Sequence, residues 1–100
     1  MSLDTLNDQV LEWGLEKGIL PNPEPLSQVE KNEEEVAELR QAIYEHNIDE
    51  VKDAIGDIYV TITMQAEAWN LTMEECVKAA YDVIKLRTGK MVNGQFVKDN

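Results

Sequence analysis

The sequence predicts an all-α chain of four helices, and three observations carry that expectation. Apolar side chains recur at helical spacing through four segments, the punctuation between segments is short, and three segments open on a Ser, Asn or Thr with a glutamate three residues on. A length of 100 residues sets the scale: one domain, expected over 1–100, with a core that is adequate but not generous. Amphipathic helices in so small a chain predict a four-helix bundle-like fold completed by oligomerisation.

Leu3, Leu6, Val10 and Trp13 share one helical face, and Gly18 stands where a left-handed C-terminal cap belongs. The stretch LPNPEPLS, Leu20 to Ser27, holds three prolines that remove amide donors and keep preceding residues extended, so it reads as a connector. A second helix is expected to start near Pro25 to Ser27, with Ser27 and Glu30 as its capping box. Its stripe is Val29, Val36, Leu39 and Ile43, and it ends near His46. Asn47 and Glu50 open a third helix, striped by Val51, Ile55, Ile58 and Ile62, which runs to about Trp69 with Asn70 at its end. Thr72 and Glu75 open a fourth through Val77, Ala80, Ile84 and Arg87, stopping before Gly89. In the tail MVNGQF, an Asn-Gly pair between short apolar pieces predicts a tight hairpin.

Nine basic and 20 acidic side chains give a net charge of −11. That sign repels a phosphate backbone and an anionic bilayer, which excludes nucleic-acid polymers and membranes as partners. No long apolar run appears, and MSLDTLNDQ lacks a basic region ahead of an apolar stretch, so a cytoplasmic location is expected. The single cysteine, Cys76, lies in an apolar helical pattern and reads as a small buried side chain. Residues 1–60 hold fifteen acids and four bases, whereas the remainder holds five of each, including Lys78, Lys85, Arg87, Lys90 and Lys98.

The stretch KNEEEVAEL, Lys31 to Leu39, sets four carboxylates on one helix although like charges one turn apart cost roughly 0.2–0.5 kcal/mol per pair. At 100° per residue Glu34, Glu35 and Glu38 share an arc of about 100°, and Glu50, Asp53 and Asp57 share one of about 60° on the next helix. Two readings follow. Both arcs lie far from the main apolar stripes, where solvated charge normally sits. Only Lys31 and Lys52 accompany the six acids, however, and two oxygen-rich patches on consecutive helices suit Mg²⁺. A di-iron bundle is excluded because it needs Glu-x-x-His motifs and His46 is the sole histidine. Gly56, costing about 1 kcal/mol in a helix interior, marks either a close approach by a helix or ligand or a tolerated glycine.

In order, Lys31, Glu34-Glu35-x-x-Glu38-Leu39, a short connector and Asp53-Ala-Ile-Gly-Asp57 before an apolar run resemble the MazG-like all-α nucleotide pyrophosphohydrolases. The likeness is greatest to the short single-domain subgroup of phages and mobile elements. It spans about Val10 to Phe96, with LEWGLEKGIL upstream and IKLRTGKMVNGQF downstream. The resemblance implies a MazG-type fold, a homodimer or homotetramer, and Mg²⁺-dependent hydrolysis of ribo- or deoxynucleoside triphosphates to the monophosphate and pyrophosphate, as in nucleotide-pool house-cleaning. Mn²⁺ is the implied substitute metal.

By the same resemblance, Glu35 and Glu38 match the first pair of metal ligands and Asp57 the aspartate of the second. Glu34 matches a position that ligates metal or acts as base, and is the candidate base here. The family's second pair is usually Glu-x-x-Asp, and its glutamate position holds Ala54. The literal match, Glu50-x-x-Asp53, lies one turn earlier, so Asp53 is the expected replacement with Glu50 further out; the site is either remodelled or holds metal more weakly. Asp82 stands where the family commonly has asparagine, ahead of the matching Lys85. Lys31, Lys85 and Arg87 are the expected phosphate partners, the alternative for a surface lysine being plain solvation; Asp82 ligates metal or reads the sugar; and Trp13, Val60 and Met64 are read either as core or subunit-interface packing or as an apolar wall against the base. The rival reading is a non-enzymatic acidic helical oligomer that acts as a protein-interaction module.

Overall fold

In a computed structural model that describes residues 1–99, each helix begins on a side-chain oxygen accepting an otherwise unpaired amide. Asn100, the last residue of the expected domain, lies outside the described residues. The elements are α1 Leu3–Glu16, α2 Pro25–Tyr44, α3 Ile48–Ala68, α4 Met73–Ile84, β1 Gly89–Val92 and β2 Gln95–Lys98. Ser2 caps α1 through the amide of Thr5. Asn47 caps α3 through the amide of Glu50, and Thr72 and Glu75 form the reciprocal box that opens α4.

The second helix starts at Pro25, within the expected Pro25 to Ser27, and it is the capping residue that differs from expectation. Its cap is Glu24, whose carboxylate accepts the Ser27 amide at 2.8 Å, rather than Ser27 itself. Pro25 explains the change of cap, since its fixed φ and missing N–H suit the first helical position and leave Glu24 before it to cap the helix. At the far end His46 has φ +53°, and the amides of His46 and Asn47 return to Ile43 and Ala42. The fourth helix stops at Ile84, earlier than Arg87; the amides of Leu86 and Arg87 bond only three residues back, to Val83 and Ile84. Asn93 and Gly94 both have positive φ, the pattern of a two-residue hairpin turn, and pair Val92 with Gln95 in the register that MVNGQF predicts.

Helices α2 and α3 form an antiparallel hairpin, as bonds from Asn32 to Thr61 and from Gln65 to the Pro25 carbonyl require. Small side chains set its seam, with Ala42 and Ala54 almost fully buried, so the two backbones approach closely. Against α3 lies α1, joined by the Asn7–Tyr59 bond and by Gly14. A Cβ at Gly14 would stand 2.8 Å from Met64 Cε, so the close helix approach sits at Gly14 and not at Gly56, around which a Cβ would meet nothing within 4 Å. The buried apolar set is correspondingly small: Leu20, Ala42, Ala54, Met64 and Ala66. Among the described residues of α4 none is fully buried, and Cys76 is half-buried. No helix is long and apolar enough to cross a membrane among the described residues.

Candidate metal centre

The α2/α3 seam turns one acid inward. Glu35 falls between Asn32 and Ala42 on the face that meets α3, and only 7 % of its surface remains exposed. Across the seam stands Asp57, one turn after Ala54. One oxygen each from Glu35, Glu38 and Asp57 lie within 4.8 Å of one another. Antiparallel packing makes this meeting possible, because a residue advancing along α2 finds its partner by moving back along α3.

Electrostatics record the crowding. Burial, more than any charge, lifts the Glu35 carboxyl above its ordinary value; Glu38 pushes the same way, and Lys31 offsets part of the rise. Asp57 is likewise raised, first by burial and then by Asp53 and Glu35. Lys31 reaches both helix neighbours, 3.3 Å from Glu34 Oε2 and 3.6 Å from Glu35 Oε1. Glu35 Oε2 is left buried with no hydrogen-bond partner. Unpartnered buried oxygens are rare in folded proteins, and an anionic one is the costliest kind.

Beside the carboxylates opens a cavity of about 410 Å³, lined by Glu35 and Asp57, by Lys31, and by Trp13, Val60 and Met64. These last three are the candidates for an apolar wall; Met64, 1 % exposed, belongs to the core, while Trp13 keeps 42 % of its surface. Gln28, Thr61 and Ile19 complete the lining and were not singled out by pattern. The usable signal was spacing: Gln28 precedes Glu35 by seven residues and Thr61 follows Asp57 by four, so each shares its helix face. Thr61 is itself held, accepting from Asn32 and donating to the Ile58 carbonyl.

The other sequence candidates lie further out. Asp53 stands beside Asp57 but outside the three-carboxylate group, and lines a neighbouring groove with Leu6, Val10 and Gly56. Glu50 is exposed in the first turn of α3, where its amide bonds the Asn47 cap. Ala54, at the position of the missing glutamate, is buried in the seam. Glu34 is solvent-exposed and paired with Lys31. Asp82 is clasped by Lys78 at 2.8 Å and Lys85 at 3.2 Å, in that order the causes that hold its carboxyl below its ordinary value. Lys85 also lies over the Tyr81 ring, and neither it, Arg87 nor Asp82 lines the carboxylate cavity of its own chain.

Searches of family models, of curated proteins and of solved structures found no match to this chain.

Proposed function

We propose that the chain is a Mg²⁺-dependent nucleoside triphosphate pyrophosphohydrolase, releasing a monophosphate and pyrophosphate, with Mn²⁺ able to replace Mg²⁺. One observation carries this reading: Glu35 keeps an oxygen out of water without a partner while two further carboxylates crowd against it. Leaving such a group unsatisfied costs roughly 1–3 kcal/mol, and more for a charged one. A divalent cation would remove that penalty and the mutual repulsion together. Three carboxylate oxygens beside an open cavity suit Mg²⁺, which takes oxygen donors and leaves positions to water and substrate phosphates. When bound, the ion supplies charge neutralisation for the triphosphate and a water of lowered pKa.

The chain's own residues would do the rest. Lys31 sits at the cavity and balances phosphate charge from this side. Trp13 and Val60 offer an apolar surface to a base or sugar, with Met64 buried behind them, and the Gln28 amide offers one donor and one acceptor group to its edge. Glu34, exposed and next to Lys31, is assigned the proton of the attacking water.

The test has two arms. Calorimetric titration with Mg²⁺ is expected to show saturable binding that Glu38→Gln removes. A panel of ribo- and deoxynucleoside triphosphates with Mg²⁺ is expected to release pyrophosphate, and the same substitution to abolish it. Release of orthophosphate would refute the reaction class, and absence of saturable Mg²⁺ binding would refute the metal centre.

A further inference from the structure

Helices α1 and α4 both pack on α3 and, among the described residues, not on one another. Between them runs a groove of about 650 Å³, floored by Tyr59 and Thr63 of α3. Leu3 and Leu11 line one wall and Met73, Val77 and Tyr81 the other, and Leu3, Val77 and Tyr81 keep 62, 59 and 57 % of their surface. On each helix the lining spans the same length of chain, 3 to 11, 59 to 67 and 73 to 81, which is about 12 Å at 1.5 Å per residue. That is a little over two helical turns. The groove shares no residue with the carboxylate cavity.

Acid rims this groove, at Asp4, Asp8, Glu67 and Glu74. Asp4 and Glu74 stand in the first turns of α1 and α4, where a carboxylate favours the helix dipole. Glu67 does the reverse, half-buried in the last turn of α3 beside the negative end of that dipole, with no base in the turn. Among the described residues none of the four is ion-paired, and Lys78, the base that lines the groove, gives both of its short bonds to Asp82. The rim has no cation of its own to spare.

Apolar walls beneath an uncompensated acidic rim define the occupant by complementarity. A metal ion would leave the walls wet, and a second copy of this chain, at −11, would be repelled by the rim. A helix with an apolar row two turns long and flanking lysines or arginines meets both surfaces at once.

We propose that the groove docks a short cationic amphipathic helix of another protein, its apolar row seated between α1 and α4 and its bases turned to Asp4, Asp8, Glu67 and Glu74. The inference stands on this groove and holds whether or not the chain hydrolyses nucleotides. The probe is a labelled leucine–lysine peptide of helical periodicity, about 14 residues long so as to overhang the groove, followed by fluorescence anisotropy. At about 0.15 M salt, which screens diffuse attraction beyond about 8 Å, micromolar binding to the full chain is expected. Exchanging the peptide's leucines for alanine, with every lysine kept, is expected to weaken binding at least about tenfold, a comparison that needs no variant of the chain. An Asp8→Lys, Glu67→Lys chain of undiminished helical circular dichroism is expected to lose a similar factor, whereas Glu30→Lys with Glu45→Lys, the same charge change on exposed positions of α2, leaves affinity within about twofold. Val77→Asp is expected to weaken binding although it adds an acid, because it wets the wall. Equal binding of the leucine and alanine peptides, or equal losses in the two lysine-substituted chains, overturns the proposal in favour of diffuse attraction to an acidic surface. No peptide binding overturns it too, as does saturable binding of spermine at the groove with none of the peptide, which would assign the site to a small polycation.

Discussion

Replacing Glu35 by glutamine should stabilise the metal-free chain and destroy its response to Mg²⁺. The parent buries a carboxylate that crowds Glu38 and Asp57 and leaves Oε2 without a partner. Its one cationic neighbour, Lys31, is 3.6 Å away on a largely exposed side chain, an arrangement worth well under about 1 kcal/mol. Glutamine keeps the volume and the acceptor toward Lys31, removes the charge, and adds a donor for either remaining carboxylate. Relief of a buried unsatisfied group amounts to about 1–3 kcal/mol, so Glu35→Gln in EDTA should raise the urea midpoint by about 1 M at the slope usual for a small domain. Magnesium should reverse the order. At a free concentration a hundredfold above its Kd, the ion adds about 2.7 kcal/mol to a chain that binds it only when folded, and the variant lacks that gain. Urea unfolding followed by circular dichroism, with parent and variant each in EDTA and in Mg²⁺, yields both differences. A variant less stable than the parent in EDTA would show that Glu35 is held by net favourable contacts, and equal Mg²⁺ stabilisation of both would place the cation elsewhere.

The raised carboxyls of Glu35 and Asp57 give a pH signature of definite sign. Above their ordinary values the unfolded chain has released these protons while the folded chain still holds them, so metal-free stability should rise as pH falls from neutral through the raised pKa values; Mg²⁺ affinity, followed by calorimetry, should weaken over the same window as protons compete. Gly14→Val would drive its side chain into Met64 Cε and Leu20 Cδ1, and urea titration should record a loss of about 1–3 kcal/mol. Thr72→Ala removes one half of the reciprocal cap of α4, a helix with no fully buried residue to compensate; amide exchange in that helix should speed up by the equivalent of about 1 kcal/mol.

Much of the local structure was legible residue by residue. Asn47 and Thr72 cap their helices through the amides three residues on, Gly18 adopts positive φ after α1, and Asn93-Gly94 turns the hairpin, because each feature depends on chemistry within one turn of chain. Even the cap of α2 is local information, since Pro25 at the first helical position makes the residue before it, Glu24 and not Ser27, the cap.

Other decisions needed the third dimension. Periodicity assigned Glu34, Glu35 and Glu38 to one arc, but only the angle at which α2 meets α3 selects Glu35 for burial and leaves Glu34 in solvent. Asp57, rather than Asp53 or Glu50, completes the group because Ala54 occupies the seam and sets the next turn opposite Glu35 and Glu38. Gly14 and Gly56 are indistinguishable as helix-interior glycines until α1 is laid across Met64. By itself the sequence determined which segments coil, where α3 and α4 start and that acid would accumulate on two neighbouring helices, since these follow from backbone chemistry and from a repeat of 3.6 residues. Tertiary structure alone decided which oxygen loses its water and which apolar rows stay bare, because desolvation is a property of what packs against a side chain, and that partner lies a whole helix away along the chain.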